Sequence, residues 1–413
     1  MMTTVEERDM TKIHGRCVDM AEGKLRILNA QGVHTVPFKG LPADKSAPSV
    51  GDIVEWEDSA VTVLTRNLSP SGSTAFTRRI LDPRRVKATQ TRARVEAGIR
   101  RFFGSEGFLE TRTPMLVRSP GMEVHIRPYK LESGEYLPTS PEFAMKRLLV
   151  GGLERIFQIC PAFRYEPFSP HHLPEFTMLE WYRAYAGFTD IMSDMERLVE
   201  SLAVEFFGKP EIPFQGKIIS VKTPWPRLRV RDLFQERVGV DLVASANLPA
   251  LRREVERLGR KWDESDTWDD LYFKIWLDFI EPNLPQDRAV FVTHYPASQS
   301  ALAVVETDRD GSRWARRFEP YAGGMELGNA FEELTDPVEQ RRRFVEDMKE
   351  RERFYGESFP ASPIDEDFLR ALEEGLPPSG GIAVGVDRLV MLFADEPEIE
   401  FTSWLKPYVH EVD

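Results

Sequence analysis

The stretch Arg155–Ala186, RIFQICPAFRYEPFSPHHLPEFTMLEWYRAYA, decides how the rest of the chain is read. Two apolar, strand-like runs flank a loop holding Pro167, Pro170 and Pro174, the pattern of a hairpin with a long polar tip. Phe163-Arg164-Tyr165-Glu166 puts an arginine at a strand end, where a guanidinium can grip an anionic oxygen through two parallel N–H donors. His172, Glu175 and Phe176 on the returning strand add hydrogen-bonding groups and an aromatic face for a planar base. Alone, each is more often a surface ion pair or a core aromatic. Combined on one hairpin they point to a ligand site.

Towards the C-terminus, residues 190–207 and 248–259 have helical periodicity, and strands are expected around Ala289–His294 and Trp314–Leu327. A glycine-rich strand-to-helix junction spans Gly380–Phe393. Its glycines allow close backbone approach to a ligand, and Arg388 opens a helix whose N-terminus already attracts anions such as a polyphosphate. Tight helix–strand packing is the alternative explanation of those glycines. Between hairpin and junction lie Glu319, Glu326, Asn329, Phe331 and Glu333. Carboxylates clustered in this way bind a hard cation such as Mg²⁺ or hold an ammonium group, but strand alternation alone does not put Glu319, Glu326 and Glu333 on one face.

Towards the N-terminus, Phe108–Met115 reads as a strand ended by Pro114. From Arg78 to Arg101 there are nine Arg or Lys against Asp82 and Glu96, while Val95, Ile99, Phe102 and Phe103 follow helical spacing. That apolar stripe should pack on a core; the arginines are either a solvated helix face or a nucleic-acid contact. Ser69–Thr77 looks like a linker. Five short strands, Lys12–Val18, Lys24–Asn29, Val33–Phe38, Asp52–Glu57 and Val61–Thr65, suggest a small barrel of the oligonucleotide/oligosaccharide-binding (OB) type. Its aromatics are sparse, which favours a structural or docking module over base stacking.

The 413 residues are 41% hydrophobic and 11% aromatic, which excludes a disordered or fibrous chain and leaves room for two or three domains. With 54 Lys plus Arg against 67 Asp plus Glu, the net charge of −13 argues against a surface that coats nucleic acid. Cys17 and Cys160 are too few for a disulfide framework and lack metal-ligand spacing, which suits a reducing cytosol. Met1–Met10 carries Glu6, Glu7, Arg8 and Asp9 where a signal peptide needs an apolar run. Apolar runs such as Leu389–Ala394 are far shorter than the ~20 residues that span a bilayer. A cytoplasmic protein with no membrane partner is expected. Phosphate-loop, dinucleotide-binding GxGxxG, HExxH and GxSxG signatures are missing from the sequence, so its chemistry must lie elsewhere.

Taken together these segments resemble a family. Residues 163–166 (FRYE) with 171–180 (HHLPEFTMLE) look like motif 2 of the class II aminoacyl-tRNA synthetases, residues 380–388 (GGIAVGVDR) like motif 3, and residues 108–114 (FLETRTP) like the end of motif 1. The similarity runs from about Arg84 to the C-terminus and includes TSPEFAMKRLLVGG, YPASQSALA and MELGNAFEELTD. The nearest subgroup is lysyl-tRNA synthetase, and nearer still its short paralogue, the elongation factor P (R)-β-lysine ligase. The implied fold is α+β: an antiparallel class II sheet flanked by helices (residues 84–413), preceded by a small OB-like barrel (1–70) and a linker (71–83).

By motif position the resemblance implies Arg164 on the ATP α-phosphate, Phe176 stacked on adenine, Arg388 on the γ-phosphate side, and Glu166 and His172 also at the nucleotide. Arg164 and Arg388 would be catalytic. Glu319 and Glu326 would hold Mg²⁺, Glu326 touching ATP as well. Glu142 would meet the amino group at the reactive end of the amino acid, Glu180 and Glu333 would flank its side-chain ammonium, and Ser140, Tyr182, Asn329, Phe331 and Ala383 would complete the pocket. A lysine-like substrate carries two ammonium groups, and burying either without a carboxylate would cost about several kcal/mol.

Two features separate ligase from synthetase. Only about 70 residues precede the catalytic core, too few for a full anticodon-binding barrel, and Ala383 stands where the synthetase motif has glycine, with Ser140 likewise matching the ligase. Ala330, in place of a glycine, and Glu332, an added charge beside Phe331, depart from both patterns and leave the substrate open; the N-terminal barrel is an addition to the ligase pattern. The resemblance thus implies ATP-dependent activation of (R)-β-lysine by a homodimer and transfer to a lysine of elongation factor P. The alternatives are a reduced lysyl-tRNA synthetase that charges tRNA and a non-catalytic paralogue that binds a ligand or partner.

Overall fold

The computed structural model describes residues 12–21, 23–38, 47–69, 74–356 and 362–405. Met1–Met10, read above for its lack of an export signal, and residues 71–73 of the linker lie outside them. Two compact units divide the chain: the first runs to Thr91 and takes in the segment from Glu400, and the second is Arg92–Ile399.

In the first unit β1 (Lys12–Ala21), β2 (Lys24–Asn29), β3 (Gly32–Pro37), β4 (Ile53–Glu57) and β5 (Ala60–Thr65) form one antiparallel sheet in the order β3-β2-β1-β4-β5. A long first strand that pairs with two neighbours, interrupted by a bulge between Cys17 and Asp19, is the OB-like arrangement. Ile13, Cys17, Leu25, Ile27, Val36 and Val54 alternate inward to make its core. Cys17 and Cys160 are both free and buried. The segment read as a linker contains a short helix, α1 (Ala75–Ile80), because Arg78 is bonded at Thr74 Oγ1 and Val18 O.

The helix α2 (Pro83–Ser105) opens on a proline and buries Val95, Ile99, Phe102 and Phe103, the stripe its spacing predicts. The Phe103 ring lies 4.8 Å from Phe157 and 5.0 Å from Trp181, so this helix covers one face of the hairpin; a buried Phe contributes about 1.5–3 kcal/mol. The strand expected over Phe108–Met115 shrinks to β6 (Leu109–Glu110), which pairs in parallel with the first hairpin strand.

Then come α3 (Glu142–Val150), the hairpin strands β7 (Arg155–Phe163) and β8 (Glu175–Ala184), α4 (Phe188–Phe207), and the small pair β9 (Glu211–Phe214) and β10 (Lys217–Ser220). Next are β11 (Arg227–Arg229), α5 (Val230–Val238), α6 (Leu248–Arg257), α7 (Trp268–Ile275), β12 (Ala289–Pro296), β13 (Val305–Thr307) and β14 (Arg313–Ala322). The chain continues through β15 (Met325–Glu326), β16 (Gly328–Glu332), α8 (Pro337–Tyr355), α9 (Glu366–Gly375), β17 (Ser379–Gly385) and α10 (Val386–Ala394). The main sheet runs β11-β12-β14-β16-β17-β8-β7-β6, antiparallel except for the parallel pair at each end, with β13 and β15 attached to β14.

Register decides what faces what. Asn329, Ala383, Glu180 and Gln158 stand in one row across β16, β17, β8 and β7, and Phe331, Gly381, Tyr182 and Ile156 in the next row on the same face. The intervening row, Ala330, Ile382, Trp181 and Phe157, points to the opposite face beneath α2. Among the described residues no helix is long and apolar enough to cross a membrane.

Candidate active site

A cleft of about 520 Å³ opens over the Glu180 and Tyr182 rows of the main sheet. Its lining includes Ser140, Glu142, Arg164, Glu166, His172, Phe176, Glu180, Tyr182, Glu319, Glu326, Asn329, Phe331, Ala383 and Arg388. Of the site residues named from the sequence, two are not in the lining: Glu333, which is buried behind the floor, and Glu175, which is exposed at the start of β8. The side chains come from the start of α3, from both ends of the β7–β8 hairpin, from β14 to β17 and from the first turn of α10, so neighbouring strands of the main sheet bring together residues far apart in the chain.

At one end sits an arrangement suited to a nucleotide. The Arg164 guanidinium lies 5.1 Å from the Phe176 ring, and its buried Nε has no hydrogen-bond partner. Arg388 Nη1 donates to the Glu326 carbonyl at 2.7 Å, and Nη2 lies 3.0 Å from His172 Nε2. Burial, then the charge of Arg388, lowers the His172 pKa; a neutral ring accepts from Arg388 at Nε2 and donates from Nδ1 to Ser169 Oγ at 2.8 Å. Asp387 ties the helix to the hairpin by accepting from Thr177 N at 2.7 Å and pairing with Arg92.

Beside this end, Glu319 on β14 and Glu326 on β15 converge. Tyr295 and Tyr321 donate to Glu319 Oε2 at 2.5 and 2.9 Å, and Arg317 Nη2 donates to Oε1 at 2.5 Å. Burial, then repulsion from Glu319, pushes the Glu326 carboxyl up to about 7 against the pull of Arg388. Among the described residues no group of three or more His, Cys, Asp and Glu forms a metal cage. Two carboxylates in mutual repulsion fit a hard cation that draws its remaining oxygens from a polyphosphate.

The other end is a carboxylate pocket. Glu180 is 1% exposed; Tyr182 donates to its Oε1 at 2.7 Å, and its Oε2 has no partner. Burial, then Glu142, raises its pKa well above the usual carboxylate value. Ala383 faces this pocket between Glu180 and Asn329, and Arg317 Nε holds Asn329 Oδ1 at 2.9 Å. The two departures Ala330 and Glu332 fall on the opposite face: Ala330 is fully buried there, and Glu332 pairs with Arg316. Neither touches the cleft.

Two residues of this region escaped the sequence reading. Arg317 stands two positions before Glu319 on the same strand face, and Lys146 stands four after Glu142 on the same helix face. These periods were the available signal.

The sequence profile of the tRNA synthetases class II (D, K and N) matches residues 72–404. The lysine–tRNA ligase of Pelotomaculum thermopropionicum is 38% identical over 327 residues, covering 78% of this chain and 63% of that protein. Those of Dehalococcoides mccartyi and Agrobacterium fabrum are each 40% identical over 314 residues, 75% of this chain and 62% and 61% of theirs. The chain thus spans about three fifths of the length of the curated relatives it matches.

Proposed function

The chain belongs to the class II tRNA synthetases (D, K and N), and on that premise we propose that it is an ATP-dependent, AMP-forming ligase for a lysine-like amino acid. Its substrate is (R)-β-lysine and its acceptor a lysine side chain of elongation factor P. The observation that carries the substrate class is Glu180, a fully buried carboxylate that lines the cleft and has one unpartnered oxygen. Such a group is costly unless a cation meets it. The Ala383 methyl beside it narrows the floor, which favours a substrate whose amino group is displaced along the chain.

In this reading the substrate carboxylate attacks the α-phosphorus, pyrophosphate leaves, and the acyl-adenylate forms. Arg164 binds the α-phosphate, Phe176 stacks on adenine, and Arg388, held by Glu326 O and His172, takes the γ-phosphate side. Glu319 and Glu326 would hold Mg²⁺, which neutralises phosphate charge. The acceptor amine then attacks the acyl carbon and AMP departs. A homodimer forms through the motif 1 segment, where Leu109 and Leu116 are more than half exposed.

Use of the basic helix bears on the acceptor. Arg85 bonds the Glu400 carbonyl, Arg84 stacks on Phe401, Arg92 pairs with Asp387, Arg94 stacks on Phe206, Arg100 pairs with Glu110, and Arg101 with Glu205. Arginines engaged in this way are poor phosphate ligands, which supports a protein acceptor. The relatives' name, lysine–tRNA ligase, favours a second reading in which tRNA is charged. ATP–pyrophosphate exchange with β-lysine, α-lysine and other amino acids tests the first step; exchange with α-lysine alone sinks the β-lysine assignment. Mass spectrometry of elongation factor P after incubation with enzyme, ATP and amino acid, run beside a tRNA-charging assay, separates the two acceptors.

A further inference from the structure

Lys146 is 1% exposed, yet it carries an ammonium group into the wall of the amino-acid pocket. It stands one helical turn after Glu142 on α3, and its Nζ lies 2.6 Å from Glu142 Oε1 and 2.5 Å from Glu333 Oε2. The Phe368 ring of α9, 5.8 Å away, closes the remaining side. Glu333 is equally buried and is not among the residues that line the cleft; it lies behind Gly381, where a β-carbon would come within 2.7 Å of Glu333 Oε1. Glu180 and Tyr182 of β8 face the same cluster, and Glu123 and Glu332 act on its edges through their charge.

The cluster therefore holds three carboxylates, Glu142, Glu180 and Glu333, around one internal cation, which leaves two negative charges when all are ionised. Burial pulls Lys146 down, but Glu142 and Glu333 outweigh it and hold the amine above the ordinary lysine value. Burial raises Glu142, and raises Glu333 to about 7, with Lys146 opposing both. Glu180 lines the cleft and its Oε2 has no hydrogen-bond partner, whereas Glu333 pairs with Lys146 and does not line the cleft.

We propose that Lys146 is a positioning residue for amino-acid recognition: its ammonium ties Glu142 to Glu333 and matches the pocket's charge to a substrate with two ammonium groups. Glu180 is then the carboxylate that the substrate's side-chain cation meets directly, and Glu333 acts through Lys146. This rests on the lysine-like substrate proposed above. Without the internal cation, three buried carboxylates that repel one another cannot all ionise near neutrality, and one keeps a proton.

The test is Lys146→Met, which keeps length and removes charge. In amino-acid-dependent ATP–pyrophosphate exchange, KM for the diamino acid should rise about tenfold at pH 7 with a smaller change in kcat. The midpoint of its pH dependence should move up by about one unit, because the carboxylates lose their nearest counter-charge. Lys146→Met/Glu333→Gln restores two negative charges, and its midpoint should return towards that of the unsubstituted protein. Difference infrared spectroscopy of the free protein reads the same effect without substrate: a protonated-carboxyl band should be stronger at pH 7 in the single variant than in the double one. A folded single variant with unchanged KM, midpoint and band overturns the proposal, as does failure of both variants to fold; a single variant that unfolds while the double one folds supports it. Exchange by the unsubstituted protein with no diamino acid would instead defeat the function proposed above, and the infrared comparison would still decide the role of Lys146.

Discussion

Ala383 puts one methyl group on the cleft face of β17, in register with Glu180 on one side and Asn329 on the other. Ala383→Gly should shift the kcat/KM ratio for exchange towards α-lysine by about tenfold, the discrimination a single methyl group can carry. A ratio that does not move separates the methyl from selectivity. Arg388→Ala should lower exchange by about 10²–10³-fold, the loss typical of removing one preorganised donor to developing charge, while circular dichroism shows an intact fold. Glu326 adds a pH effect. Its folded pKa of about 7 lies above the ordinary 4.5, so ionising it costs stability progressively as pH rises from about 4.5 to 7. Glu326→Gln should therefore gain thermal stability relative to the unsubstituted protein between pH 5 and 8, measured by scanning calorimetry without nucleotide; parallel Tm curves would contradict this. That Arg164, His172 and Phe176 come together in one cleft was legible, because one motif carries all three. Lys146 was not, because an i+4 Glu–Lys pair on a helix is ordinarily a solvated ion pair. Only the packing of Phe368 and Glu333 over it makes it otherwise.

The β17 strand shows how an element depends on what it lacks. At Gly381 an added β-carbon would lie 2.2 Å from Tyr182 Cε1 and 2.7 Å from Glu333 Oε1, whereas at Gly385 its nearest neighbour would be Arg388 Cγ at 3.7 Å. Gly381→Ala should cost about 1–3 kcal/mol by overpacking and should raise the amino-acid KM, because Tyr182 and Glu333 cannot retreat into a buried wall. Gly385→Ala, at φ −73° and in ordinary contact, should stay close to the unsubstituted protein in denaturant unfolding. Equal effects at both positions would show that close approach of Tyr182 and Glu333 is not what Gly381 serves. The hairpin β7–β8 was legible because apolar alternation resumes on both sides of a proline-marked tip. The shrinkage of β6 was not: Leu109 and Glu110 pair with β7, Thr111 adds one backbone bond to Phe157 O, and residues 112–114 carry no regular structure. A strand's length is set by its neighbour as much as by its own residues. The α1 turn was hidden for the same reason, since the bonds Arg78 makes to Thr74 and Val18 depend on the finished fold.

At the scale of the whole molecule, the charge of −13 and the fate of the arginines between Arg78 and Arg101 act together. Composition alone left that cluster open to two uses, because sequence does not say which cations have found carboxylates. In the structure Arg92, Arg100 and Arg101 pair with Asp387, Glu110 and Glu205, and Arg94 lies 3.8 Å from the Phe206 ring centroid. A protein that neutralises six or more phosphates loses about 10³–10⁵ in affinity between 50 and 200 mM salt, and each contributing arginine adds about 0.9 to the slope of log K against log salt. This chain should bind unfractionated tRNA with a slope below about 2, and Arg100→Ala and Arg101→Ala should leave that slope unchanged. Filter binding across a salt series reads both quantities. A steep slope that falls by about one with each substitution would make the helix an RNA-binding surface and move the acceptor from protein to tRNA. Exchange kinetics should keep their value in the Arg100→Ala and Arg101→Ala variants, because neither residue lines the cleft proposed to activate the amino acid.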